Sequence, residues 1–235
     1  MSAPAVIRAA DGEAVADRAA QMLAELLSST LTSRGSAHLA LSGGTTPAGA
    51  YRALRLESWV GIELWFGDER CVGPEDPQSN YLMAEQTLLD HAPGALVHRI
   101  EGELGAERAA AAYGELLAQR VGGGRGDGVP ILDVVLLGIG EDGHTASLFP
   151  HNPALQAHGA LCVAVHDAPK PPPDRVSLSL EVLRAARTTI LLATGAAKAQ
   201  ALAAALGPPD PAVPSSLLAR ERLTVIADAA ALADA

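Results

Sequence analysis

Aromatic residues are scarce in this chain, at 3% of its 235 residues. A core of ordinary size must therefore be assembled from Ala, Leu, Val and Ile. Ala-rich stretches beside Val/Leu/Ile-rich runs point to helices layered on a sheet. Cysteine is rarer still. Cys71 and Cys162 stand far apart and match no metal-ligand spacing, so neither a disulfide framework nor a zinc site is expected, and reduced thiols in a cytoplasmic setting fit. Long apolar runs are also missing. No stretch of about 18 uninterrupted apolar residues occurs, which argues against a membrane span. The opening MSAPAVIRAADGE has no basic-then-apolar secretion pattern, so export is not expected.

Positive charge is in short supply. Lys and Arg number 17 against 27 Asp and Glu, for a formal net charge of -10. That disfavours a broad nucleic-acid face, which needs basic stripes. It leaves room for a small anionic ligand, which needs only a few local cations and backbone amides. What is present, 49% hydrophobic and 19% charged residues, is globular composition. No internal repeat or linker divides the chain, and residues 1–235 read as one domain.

Apolar positions at helical spacing (Val15, Ala19, Met22, Leu23, Leu26, Leu27) predict a helix over Asp11 to Thr32. AHLALSGG reads as a buried strand entering a loop, and Pro47 as the start of a helix through Leu54. IELWF (Ile62 to Phe66) is a second strand, followed by the polar loop GDERCVGPEDPQ. A helix over Ser79 to Leu89, a short strand LVHRI and a helix over Glu107 to Arg120 come next. GGGRGDG, Gly122 to Gly128, reads as a surface loop. ILDVVLLGIG is the strongest buried-strand signal. LCVAVH and RVSLSL are further strands flanking the proline-rich APKPPPD. ILLAT leads into a helix over Ala196 to Leu206, GPPDPAVPSS is a turn region, and LTVIAD closes the chain as a strand. This alternation predicts a mostly parallel sheet with helices on both faces. Ligands then sit beyond the carboxyl ends of the strands, where the loops after LAL, LWF and VVLLG are expected to converge.

Three segments carry chemistry. In LSGGTTP, Ser42, Gly43, Gly44, Thr45 and Thr46 lie between a strand and a helix start. Glycines let the backbone approach an anion, and amides, hydroxyls and a helix N-terminus supply donors. The same string also reads as a plain turn with a Thr cap. It matches neither the dinucleotide nor the Walker pattern. In WFGDERCVGPEDPQSNY, Asp68 and Arg70 follow a strand end, where a guanidinium can fork onto phosphate or carboxyl oxygens, or simply be solvated. In LLGIGEDGHTASLFP, an apolar strand delivers Asp142 and His144 to the sheet's edge. Imidazole suits general-base work near neutral pH, and Asp142 is spaced to orient it. A capped turn with an incidental histidine is the plainer alternative. Arg175, after the prolines, and Lys198, in a helix's first turn, complete the cationic set. A lysine there runs against the helix dipole, which favours an anion nearby. His38, His91, His98, His151, His158 and His166 show no metal spacing, and no G-x-S-x-G elbow is present.

In order along the chain, LSGGTTP, WFGDERCVGPEDPQSNY, LLGIGEDGHTASLFP, RVSLSLEVL, TGAAKA and VPSSLL resemble the 6-phosphogluconolactonase family, which is similar in fold to glucosamine-6-phosphate deaminases. The likeness implies an α/β, three-layer, mostly parallel Rossmann-like sheet. It implies hydrolysis of 6-phospho-D-glucono-1,5-lactone in the oxidative pentose phosphate pathway, with no cofactor and no metal. It implies a small-molecule sugar-phosphate lactone as partner, no nucleic acid or membrane, and a monomer or small homo-oligomer. Combined with the residue chemistry, His144, Asp142 and Arg70 become the catalytic candidates. Ser42 to Thr46, Asp68, Asn80, Arg175 and Lys198 become the substrate-binding ones. The rivals are a deaminase and a non-catalytic sugar-phosphate binder. The deaminase branch typically continues the DGH loop as Ala-Phe-Asn-Glu-Pro, where this chain has Ala146, Ser147, Leu148, Phe149 and Pro150.

Overall fold

The structure is a computed structural model that describes residues 3–121 and 128–235. Its centre is a seven-stranded sheet, all pairings parallel, in the order β1-β10-β9-β6-β2-β3-β5. The strands are β1 (Ala5–Ala9), β2 (Ala37–Leu41), β3 (Ile62–Phe66), β5 (Leu96–Val97), β6 (Val134–Gly138), β9 (Thr188–Ala193) and β10 (Leu223–Asp228). Residues on both sides of the central strands, such as Leu39 with Ala40 and Leu136 with Leu137, are buried. Parallel strands with both faces covered read as continuous apolar runs, and this explains the ILDVVLLG signal.

The helices are α1 (Gly12–Arg34), α2 (Thr45–Ala53), α3 (Asn80–Thr87), α4 (Ala106–Val121), α5 (Leu180–Ala185) and α6 (Ala199–Leu206). Asp11 caps α1 by accepting the Ala14 N–H at 2.9 Å, and Gly35, at φ 76°, ends it. Ser79 caps α3 from outside the helix. The helix at Pro47 begins two residues earlier, at Thr45, which still keeps the proline in the first turn where its missing N–H costs nothing.

Several expectations are corrected. Ala5–Ala9, unassigned from sequence, is an edge strand on β10; its residues are mostly exposed and carry no buried-strand pattern. LVHRI contributes only Leu96 and Val97 as a strand. The segment Ala196–Lys198 is a 3-10 turn ahead of α6. Most of the expected loop at GGGRGDG lies outside the described residues. The largest correction is a second sheet. β4 (Asp68–Arg70), expected as loop, joins β8 (Arg175–Leu178) and β7 (Cys162–Val165) in an antiparallel sheet ordered β4-β8-β7. Gly67 is the joint between the sheets. It donates to the Leu41 carbonyl at 2.7 Å and accepts from Leu178 N at 2.8 Å, so one residue carries the chain from the parallel sheet into the antiparallel one.

The scarce aromatics are concentrated inside. Trp59, Trp65, Tyr51, Tyr113, Phe66 and Phe149 are all buried, with Tyr81 alone partly exposed. Small Ala side chains fill the remaining helix–sheet contacts, as the composition required.

Candidate active site

Strand order reverses between β2 and β6, the place where an open parallel sheet leaves a crevice at its carboxyl edge. A cleft of roughly 330 Å³ lies there. Its walls come from the ends of β2, β3, β6 and β9, and from the second sheet. Ser42, Gly43, Gly44, Thr45, Thr46, Asp68, Arg70, Asn80, His144, Arg175 and Lys198 all line it. Asp142 lies just behind, bonded to His144.

The Ser42 loop is held from below. The Tyr51 hydroxyl, fully buried, accepts the Ser42 N–H at 2.7 Å and donates to the Ser42 carbonyl at 2.9 Å. Burial pushes its pKa well up, so the donor proton stays in place. Asn80 lies so close beneath Gly43 that a β-carbon there would overlap its side-chain amide. Thr46 and Thr194 share a hydroxyl hydrogen bond at 2.8 Å, which ties this loop to the end of β9. The amides and hydroxyls at the start of α2 thus face the cleft from a braced loop.

The second sheet supplies the opposite wall. Asp68 is buried; it accepts from Ser147 Oγ at 2.6 Å and from Asn80 Nδ2 at 3.2 Å. Glu69 is buried behind it and accepts from Ser79 Oγ and from the N–H groups of Arg70, Asn80 and Tyr81, at 2.7–3.0 Å. Burial pushes the Glu69 pKa up against the pull of those donors. Its carboxylate sets β4 against the start of α3. Arg70 and Arg175 are directly paired across β4 and β8. Arg175 has its pKa lowered, by burial first and then by the neighbouring Arg70 charge. Arg70 donates Nη1 to the Gln78 carbonyl at 2.6 Å, while its Nε is buried without a partner. Two guanidiniums thus lie side by side at this wall, one of them with a buried N–H that lacks a partner among the described residues.

The third wall is the loop after β6. His144 Nδ1 meets Asp142 Oδ1 at 2.5 Å, and the same oxygen accepts the His144 N–H at 3.1 Å. Burial works against ionisation of Asp142, but the ring hydrogen bond, the imidazole charge and the His144 N–H outweigh it and hold the carboxyl down at about 2. The engaged Nδ1 leaves Nε2 as the free ring nitrogen. The Phe149 ring supports the imidazole at 4.5 Å between centroids. A β-carbon on Gly140 would overlap both His144 and Asp142, so the pair needs glycine at that position. Ser215 N donates to the Gly143 carbonyl at 3.0 Å, which gives the VPSSLL string a bracing role.

Lys198 Nζ lies 3.8 Å from Glu141 Oε1, a contact linking the β9 and β6 loops. Sequence reasoning missed Lys170, Thr194 and Phe149 as lining residues. It also missed the bracing done by Glu69 and Ser147. Lys170 lies in the proline-rich stretch, where no periodicity marks a site. Among the described residues no group of three or more His, Cys, Asp or Glu side chains is placed to hold a metal ion. No helix there is long and apolar enough to cross a membrane.

Residues 10–226 match the family described as glucosamine-6-phosphate isomerases/6-phosphogluconolactonase. The chain is 40% identical to a 6-phosphogluconolactonase of Streptomyces coelicolor, over 86% of this chain and 83% of that one. It is 37% identical to a 6-phosphogluconolactonase of Mycobacterium bovis, over 86% and 85%. The solved structure of 6-phosphogluconolactonase from Trypanosoma brucei superposes with a TM-score of 0.89 at 28% identity, covering 99% of each chain.

Proposed function

The chain belongs to the glucosamine-6-phosphate isomerase/6-phosphogluconolactonase family, and from that footing we propose that it hydrolyses 6-phospho-D-glucono-1,5-lactone to 6-phospho-D-gluconate, the second step of the oxidative pentose phosphate pathway. The observation that carries the reading is the His144–Asp142 pair facing the Ser42–Thr46 loop across one cleft.

The phosphate docks on the amides and hydroxyls of Ser42 to Thr46, with Lys198 as counter-charge. His144 Nε2 takes a proton from water, and the resulting hydroxide attacks the lactone carbonyl. Asp142 keeps the other ring proton on Nδ1 and stabilises the imidazolium as it forms. Arg70 and loop amides receive the negative charge on the tetrahedral oxygen. Collapse expels the ring oxygen, which takes the proton back from His144. Asp68 and Asn80 support the walls and offer polar atoms to sugar hydroxyls. A lactone is already reactive, so one base at ~10²–10⁴-fold and one oxyanion donor at ~10²–10³-fold are adequate, with no covalent intermediate.

The test is formation of 6-phosphogluconate from the lactone at slightly acidic pH, where spontaneous opening is slow, against a no-enzyme control. A rate no greater than the control defeats the proposal. Ammonia release from glucosamine 6-phosphate would instead place the chain with the deaminases. Ser147, which locks Asp68, belongs to the string that departs from the deaminase pattern.

A further inference from the structure

The connection between β7 and β8 forms a strap across one side of the cleft. At its root, His166 Nδ1 meets Asp174 Oδ1 at 2.7 Å and Nε2 meets Glu107 Oε1 at 2.8 Å, which ties the strap to α4. Ala168 N donates to the Pro173 carbonyl, and Cys71 N to the Asp174 carbonyl, each at 3.0 Å. At its tip, Lys170 and Pro171 line the cleft. Lys170 is the only cation between Asp167 and Asp174.

Arg175 is what the tip rests on. Its Nη2 donates to the Lys170 carbonyl at 2.7 Å and its Nε to the Pro172 carbonyl at 3.1 Å. Its guanidinium lies 5.4 Å from the centroid of Phe149, and the same ring touches His144. Two of the three guanidinium nitrogens are thus committed to the strap's backbone. Three successive prolines restrict the backbone beside Lys170, which fixes the point from which its side chain leaves the strap. The strap therefore belongs to the His144 half of the cleft. The Ser42 loop and Thr194 make up the other half, while Lys198 meets Glu141 on the His144 loop.

We propose that Lys170 contacts the reacting end of the substrate, the carbonyl that becomes the product's carboxylate, and that Arg175 is the positioning residue that holds it there. This rests on the lactonase reading above.

The experiment is calorimetric titration of wild type, Lys170→Ala, Arg175→Gln and the double variant with 6-phosphogluconate and, separately, with inorganic phosphate. Lys170→Ala should weaken 6-phosphogluconate about tenfold and leave phosphate within about twofold, since only the first ligand carries a carboxylate. Arg175→Gln should show the same split, and the double variant should bind no more weakly than Arg175→Gln alone. A general loosening of the fold would weaken both ligands. If Arg175→Gln does not fold, Arg175→Lys replaces it, because it keeps the charge but cannot fork onto both carbonyls. Equal weakening of both ligands, or no change in Lys170→Ala, overturns the contact. Additive losses in the double variant overturn the positioning role. A wild type without lactone hydrolysis removes the proposed function itself. A wild type that hydrolyses the lactone beside an unchanged Lys170→Ala removes only this inference.

Discussion

At the scale of single residues, the proposed mechanism divides the site into groups that react and groups that hold an anion, and kinetics separates them. His144→Ala removes the only imidazole among the described residues that line the cleft. Its kcat should fall by at least ~100-fold with little change in KM, since a general base acts in the transition state. A near-normal kcat would reject His144 as the base. Lys198→Ala should instead raise KM for the lactone with kcat largely kept, because phosphate binding is shared by ground and transition states. Its ion pair with Glu141 is long and partly exposed, so losing that contact should hardly alter the melting temperature. An unchanged KM would exclude Lys198 from phosphate binding. Both residues were legible as candidates for the cleft they line, because an imidazole after an apolar strand and a lysine against a helix dipole are each unusual. Lys170 was not legible, because its placement depends on hydrogen bonds from Arg175 to strap carbonyls.

At the scale of elements, the Ser42–Thr46 loop is only as ordered as the Tyr51 hydroxyl beneath it. Tyr51→Phe leaves the Ser42 N–H and carbonyl without their partner in a buried place. The variant should lose ~1–3 kcal/mol of stability, read by denaturant unfolding, and its KM should rise as the loop slackens. Wild-type stability together with wild-type KM would show that the loop holds itself. β4 makes the complementary point. GDER reads as a solvated run because a three-residue strand gives no usable period. Its strand character comes from β8, a partner more than 100 residues away. Its buried Glu69 is tolerated because four donors converge on the carboxylate.

At the scale of the whole molecule, the two ends of the sheet titrate differently. The carboxyl end holds the site. Near the amino end, His38 accepts a hydrogen bond from Trp65 Nε1 at 3.2 Å, and Trp65 stacks on His98 at 4.2 Å. Burial lowers the His38 pKa, with Glu63 and Asp133 opposing, so the folded protein takes up this proton less readily than the unfolded chain. His38 thus costs no stability above the unfolded value of ~6.5 and removes stability progressively as pH falls below it. Thermal melts at pH 7.5 and 5.5 should show a drop on acidification that His38→Gln reduces. An equal drop in both proteins would rule out His38 as a source. Asp142 acts in the same direction but at lower pH. Its depressed folded pKa stabilises the protein above the ordinary carboxylate range, a contribution lost only as pH falls towards 2.

The sequence by itself determined the class of architecture and the loops that matter. Helical and strand periods are local, as are glycines at strand ends, so Leu39–Leu41, Leu64–Phe66 and Val134–Leu137 announced a parallel sheet, and Gly43, Gly44 and Gly140 marked the loops at its edge. Only the tertiary structure decided how the walls of the cleft are built. The second sheet and the Arg70–Arg175 pairing arise from contacts between residues distant in the chain, whereas the carboxylate of Glu69 and the strap bearing Lys170 are fixed by loop hydrogen bonds that follow no helical or strand period. Such contacts leave no periodic trace, because the energy that fixes them comes from partners brought near only by folding.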